Sequence, residues 1–160
     1  MRTVFYKGEL NDDEVSNLIL AIEEANKENE DSDITVYLSS AGGYEFAANI
    51  LLDFVNTRED INFSFTFYDE LHSAAFVLAL RLKCKKKVLD SAFSILHLFG
   101  VNLHTRLDHK TKPFYLKGLN KTNEVILNEF NNFLTEEELN KIKDQEDVYI
   151  SNERLKMILS

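Results

Sequence analysis

Residues 34–43 read ITVYLSSAGG, and this stretch decides the fold. Ile34 to Leu38 is a compact run without charge, which predicts a buried strand. Gly42 and Gly43 then predict a tight turn into the helix that follows. Amide groups at such a turn can face a single point at a helix N-terminus, which suits an anion or oxyanion, although a plain turn is the simpler interpretation.

Outward from this stretch, strands and helices alternate. A short strand, Thr3 to Tyr6, precedes a helix whose apolar stripe includes Val15, Leu18 and Ile22. Downstream, a strand over residues 62–68 leads to a helix over residues 73–82 that is almost entirely apolar and therefore predicted to be buried. Alternation of this kind predicts an α/β fold built from βα crossover units.

The second half changes character after Gly100. Residues 101–118 are polar and irregular, and a helix is predicted over residues 120–134, with Ile126, Phe130 and Leu134 on one side. A last strand is predicted at residues 147–151, before a terminal helix. Further upstream, the run KCKKK at residues 83–87 is interpreted as positive charge at the end of the apolar helix.

Composition limits the class of protein. The 160 residues fit one domain over residues 1–160, and a net charge of −9 with a pI near 4.9 argues against non-specific nucleic-acid binding. Cys84 is the single cysteine, so no disulfide forms within the chain. No apolar run is long enough to span a membrane and no signal region is evident. We expect a cytoplasmic protein that makes no membrane contact.

Two histidines stand where strands end. His72 and Ser73 lie at a strand-to-helix junction, an arrangement in which a nucleophile gains from the positive end of the helix dipole. The simpler interpretation of Ser73 is a helix N-cap. His97 ends an apolar strand, where a rim histidine and a general base are the two alternatives.

These segments, taken in order, resemble the proteolytic subunit of the Clp protease, within the wider crotonase-like superfamily. LSSAGG at residues 38–43 is similar to the strand and Ser-Pro-Gly-Gly turn of that family, with Ala41 in place of proline. HSAAFVLA at residues 72–79 is similar to its nucleophile helix, and SAFSILH at residues 91–97 to the segment that ends in its catalytic histidine. The resemblance covers about two thirds of the chain and implies a layered fold of repeated ββα units, with a helical arm near residues 101–134.

The same resemblance implies a degenerate catalytic triad. It places His72 at the position of the nucleophile and Ser73 one residue later, where the family has an oxyanion-hole amide, beside Gly42 and Gly43. His97 corresponds to the general base. The acidic member falls at Lys143, and a small shift in alignment moves it to Asp144. Ala74 also replaces a glycine of the family.

Three functional hypotheses follow. The first is a catalytically impaired Clp-like subunit that acts through assembly or binding. The second is an active ATP-dependent serine peptidase that uses Ser73, His97 and Asp144 (or Asp147) on polypeptides. The third is a crotonase-like small-molecule enzyme or ligand-binding protein using His72 and His97 with His104 or His109. We expect no cofactor and no metal, because metal ligation needs converging ligands that the spacing does not suggest.

Partners are implied by the resemblance. Clp subunits stack rings through an arm that follows the catalytic histidine, so a homo-oligomer, in the form of a ring, is expected. An ATPase and an active paralogue are further candidate partners. The apolar stripe formed by Ile126, Phe130 and Leu134 is expected to be exposed on this arm and to need a partner.

Overall fold

The computed structural model describes residues 2–27, 32–100 and 112–160. The chain divides into two compact units. The first contains Met1–Leu96 and Tyr149–Ser160, and the second contains His97–Val148. That residues 1–160 form one domain stays a prediction.

Six strands and six helices occur in the described residues. In chain order they are β1 (Arg2–Lys7), α1 (Asp12–Lys27), β2 (Asp33–Ser40), α2 (Glu45–Thr57), β3 (Asn62–Leu71), α3 (Ser73–Arg81), β4 (Lys85–Val88), β5 (Ser94–Leu96), α4 (Lys112–Phe130), α5 (Glu136–Lys143), β6 (Val148–Ile150) and α6 (Asn152–Leu159). The predicted alternation of strands and helices is therefore confirmed, and the mixed α/β class with it.

The first unit is built on a parallel sheet. Its strands lie in the order β1-β2-β3-β4, so each strand is next to its neighbour in sequence. Val4 pairs with Val36 and Val36 with Phe65. Since all four strands run the same way, the residues that end β2 and β3 meet at one edge of the sheet.

Helices cover one face of this sheet. α1 packs against α2 and α2 against α3, as expected for successive right-handed crossovers. Phe65 and Phe67 are fully buried on the helix side, and α3 is buried along most of its length. On the opposite side Phe5 stacks on Tyr37 with ring centroids 4.9 Å apart, and Phe5 remains exposed.

The sequence predicts that the basic run at residues 83–87 ends the apolar helix, and this prediction is wrong. α3 stops at Arg81, and Leu82 is extended with φ −61° and ψ 130°. Lys85–Val88 is strand β4, which pairs with β3 from Ser64 to Phe67 and forms the edge of the sheet. Pairing with β3 satisfies the backbone groups of this segment, and this outweighs the low strand propensity of lysine.

The second unit contains α4 and α5. α4 begins earlier than predicted, at Lys112, and ends at Phe130. The expectation that Ile126, Phe130 and Leu134 are exposed was wrong, because all three are buried. The predicted arm includes residues 101–111, which lie outside the described residues.

None of the helices described here combines the length and the apolar character that a membrane crossing requires.

Candidate functional site

The carboxyl ends of β2 and β3 bring the candidate site residues of the first unit together. The backbone amide of His72 donates to the carbonyl of Ser40 over 3.0 Å, which joins the residue after β3 to the last residue of β2. α3 begins at the next residue, Ser73. His72, Ser73 and the glycine turn therefore lie at one edge of the sheet.

Gly42 allows the turn to approach the start of α3. Its φ is +99°, and a Cβ at this position would lie 2.7 Å from the Cβ of Ser73 and 2.9 Å from the carbonyl oxygen of His72. Only glycine combines that backbone conformation with that contact. The turn is fixed in place because Ser40 Oγ accepts from the Gly42 amide over 3.1 Å, and Leu10 N donates to the Gly42 carbonyl over 2.7 Å.

The predicted oxyanion donors differ in their availability. The Gly42 amide is already bonded to Ser40 Oγ, so its use for a ligand would require that bond to break. Within the described part of the chain, the amides of Gly43 and Ser73 donate to no acceptor. An oxyanion role for Gly43 and Ser73 stays a prediction.

His72 is the N-cap of α3, with φ −108° and ψ 159°. Its Nδ1 accepts a hydrogen bond from the backbone amide of Ile95 over 3.1 Å, and its ring meets Phe93 edge-on at 4.9 Å. Acceptance at Nδ1 leaves the ring proton of the neutral imidazole on Nε2. These contacts hold the His72 side chain against β5 and the residue before it, which is a structural role.

Ser73 has a left-handed backbone, with φ +49°. For a residue other than glycine this conformation is uncommon, and such strain is concentrated at functional sites. The side chain leaves the backbone beside Gly42. Its hydroxyl forms no hydrogen bond with another described residue.

His97 and the acidic candidates belong to the second unit. His97 Nδ1 lies 3.8 Å from a carboxylate oxygen of Asp147, and both side chains are substantially exposed. This distance suits an ion pair with a protonated ring, and it is too long for a hydrogen bond. Asp144 is the C-cap of α5, and its amide donates to Asn140. Of the two aspartates, Asp147 is the one placed beside His97.

A pocket of about 860 Å³ adjoins His97 within the second unit. Phe99, Leu116, Asn123 and Lys143 are among the residues that line it. The Asn123 carboxamide holds both backbone groups of Phe99, accepting from its amide over 3.1 Å and donating to its carbonyl over 3.0 Å. Asn123 was not identified from the sequence, because one asparagine on an amphipathic helix carries no signal for a contact 24 residues away.

No group of three or more potential ligands for a metal ion occurs among residues 2–27, 32–100 and 112–160. His104 and His109, named in the small-molecule hypothesis, lie outside the described residues.

Comparison with known proteins supports the fold. No protein-family model matches the sequence, and no curated protein is similar to it. Among solved structures, a mutant of ClpP1 from Listeria monocytogenes is similar, with a TM-score of 0.73 and 17% sequence identity, over 98% of this chain and 86% of that one. The chain therefore has a ClpP-like fold, and the identity is low enough that the similarity concerns the fold alone.

Proposed function

We propose that this protein is a Clp-protease-like subunit that lacks peptidase activity and acts through assembly or binding. One observation carries the proposal: His72, not a serine, stands at the junction of β3 and α3, and its ring is committed to Ile95 and Phe93. A serine hydrolase needs a hydroxyl nucleophile in reach of a base, and imidazole cannot supply one.

A serine peptidase based on Ser73 is the second candidate function. The left-handed backbone of Ser73 favours it, since strain of this kind marks many functional residues. The proximity of Asp147 to His97 also favours it, because a carboxylate beside the base is part of a triad. Against it, the resemblance places the nucleophile at position 72, and the Ser73 hydroxyl forms no hydrogen bond with another described residue that could act as its base.

A fluorophosphonate probe separates the two candidates. We expect no covalent labelling of the wild-type protein under conditions that label an active serine hydrolase. Ser73→Ala and heat-denatured wild type are the controls. Stoichiometric labelling of the native protein that disappears in Ser73→Ala would establish the peptidase and refute the inactive subunit.

Assembly is supported by the surface of α4. Phe114 is 84% exposed, Tyr115 is 58% exposed, and Leu116 and Val125 are also exposed. Apolar side chains clustered on one helix are costly to hydrate and are typical of a protein contact. We infer a homo-oligomer, in the form of a ring, with an ATPase or an active paralogue as a further partner.

Sedimentation velocity tests the assembly. We expect a species larger than 18.5 kDa at micromolar concentration. A monomer over the whole concentration range would refute the homo-oligomer and leave the catalytic question unaffected.

A further inference from the structure

A second pocket lies at the opposite edge of the parallel sheet, within the first unit. Its volume is about 350 Å³, and its lining includes Asn56, Arg58, Ile61, Lys83, Cys84 and Lys85. Lys85 is the first residue of β4, whereas Gly42 and α3 lie beyond the last residues of β2 and β3. The pocket is therefore at the amino-terminal edge of the strands and is separate from the candidate site described above.

Of the three cationic side chains that line this pocket, Arg58 is paired with carboxylates, whereas Lys83 and Lys85 are not paired with a described acidic residue. The Arg58 guanidinium pairs with Glu23 and, through two nitrogens, with Asp60. This interaction lowers the pKa of the Asp60 carboxyl to about 2. Lys83 and Lys85 have no acidic partner for their ammonium groups within the described part of the chain. Two uncompensated cations thus face one pocket on a chain with a net charge of −9.

A neutral hydrogen-bond donor, the Asn56 carboxamide, also lines the pocket. Asn56 Oδ1 accepts from the Lys83 amide over 3.1 Å, which fixes the carboxamide and leaves its NH₂ group as a donor. Ile61, which also lines the pocket, is buried. Burial raises the pKa of the Cys84 thiol to about 11, so at neutral pH this side chain adds no negative charge.

Lysines on an edge strand also have a simpler explanation, because they prevent pairing with another chain. That explanation applies equally to Lys85 and Lys87, which are both exposed on β4. It does not account for a pocket in which Lys83, Lys85 and the Asn56 amide are grouped while Lys87 is excluded.

We propose that this pocket binds a small dianionic oxyanion of the phosphate class, held by Lys83, Lys85 and the Asn56 carboxamide. Two ammonium groups favour a doubly charged ligand over a carboxylate with a single charge, and each bond between a cation and an oxyanion is of the stronger, charge-assisted kind. The site is independent of peptidase activity and of the proposed assembly.

The test uses the full-length chain, with inorganic phosphate and pyrophosphate as probes and acetate at matched ionic strength as the comparison. Amide chemical shifts of residues 83–85 are followed by NMR during titration. We expect saturable shifts with phosphate or pyrophosphate and none with acetate. Lys83→Gln and Lys85→Gln are each expected to weaken binding roughly tenfold, since tenfold corresponds to the loss of one charge-assisted hydrogen bond.

Lys87→Gln is the matched control, because it removes the same charge from the same strand outside the pocket. We expect it to weaken binding less than twofold. Shifts that do not saturate in the wild type, or an equal loss of affinity in Lys85→Gln and Lys87→Gln, would show general electrostatic attraction and overturn the proposal.

Discussion

The Nδ1 atom of His72 accepts a hydrogen bond from the backbone amide of Ile95 over 3.1 Å. The bond joins the N-cap of α3 to the middle of β5, and these two elements pack against each other. Since the imidazole satisfies a backbone donor on a half-buried strand, His72 has a structural role at the junction of β3 and α3.

Replacement of His72 should destabilise the protein, because the hydrogen bond from Ile95 is lost. His72→Ala leaves the Ile95 amide without its acceptor, and we expect the free energy of unfolding to fall by about 1–2 kcal/mol. Urea denaturation measures the loss, and faster hydrogen exchange at the Ile95 amide locates it. His72→Asn retains an acceptor at a similar distance and should lose less. Equal losses in both variants would mean that the hydrogen bond is not what His72 contributes.

A side chain at position 42 should destabilise the protein, because Gly42 lies close to the start of α3. In Gly42→Ala, the new Cβ would lie 2.7 Å from Ser73 Cβ on a backbone with φ +99°. We expect a loss of about 3 kcal/mol, from left-handed strain and overpacking together. Thermal and urea denaturation give the measurement.

Gly118→Ala is the control for that substitution. Gly118 lies within α4, and a Cβ there meets nothing within 4 Å. Because alanine is the better helix former, we expect a gain of about 0.5–1 kcal/mol. Similar effects at Gly42 and Gly118 would contradict the proposed contact between the turn and α3.

Tyr6 should make stability depend on alkaline pH. Burial of its hydroxyl, with Glu14 and Glu9 nearby, raises the pKa of Tyr6 to about 12, and the hydroxyl donates to the Glu9 carbonyl over 2.7 Å. The folded state therefore holds this proton more tightly than the unfolded state, whose pKa is near 10. The stabilisation is complete below about pH 10 and is lost as the pH rises toward about 12.

Urea midpoints between pH 8 and pH 12 test this dependence. Tyr6→Phe removes the titrating group, so its decline in stability over this range should be shallower than that of the wild type. Parallel curves for the two proteins would show that other groups, such as lysines, account for the alkaline loss.

The exposed apolar residues of α4 should contribute to self-association. Phe114→Glu places a charge at the most exposed of them and is expected to shift the sedimentation distribution toward smaller species. Lys117→Glu adds negative charge to the same helix at an exposed polar position and should leave the distribution closer to that of the wild type. If both variants sediment like the wild type, α4 is not the contact.

The strands and helices of the first unit could be predicted in detail. The strand predicted at Ile34 to Leu38 is β2, Asp33–Ser40, and the buried helix predicted at residues 73–82 is α3, Ser73–Arg81. Local patterns sufficed because apolar periodicity reports which face of each element is buried. The pattern failed at Lys85–Lys87, where pairing with β3 decides the conformation.

The candidate site was predictable only to the level of which residues share an edge. The resemblance grouped Gly42, His72 and Ser73, and in the structure they share an edge because parallel strands end on the same side of a sheet. The sequence could not choose between Asp144 and Asp147 as the acid near His97, since the difference lies in how the chain turns after α5. The sequence also could not show that the Ser40 hydroxyl accepts a hydrogen bond from the Gly42 amide.

By itself, the sequence determined the α/β class, the glycine turn and the histidine at the junction of β3 and α3, because each depends on residue type and local spacing. Only the tertiary structure decided that the His72 ring accepts a hydrogen bond from Ile95 and that Asp147 is the aspartate beside His97. It also decided that Ile126 and Phe130 are buried. These properties depend on contacts between residues far apart in the chain, such as the bond from Ile95 to His72, 23 residues apart. Hydrogen bonds and burial of that kind arise when elements pack, and no local pattern records them.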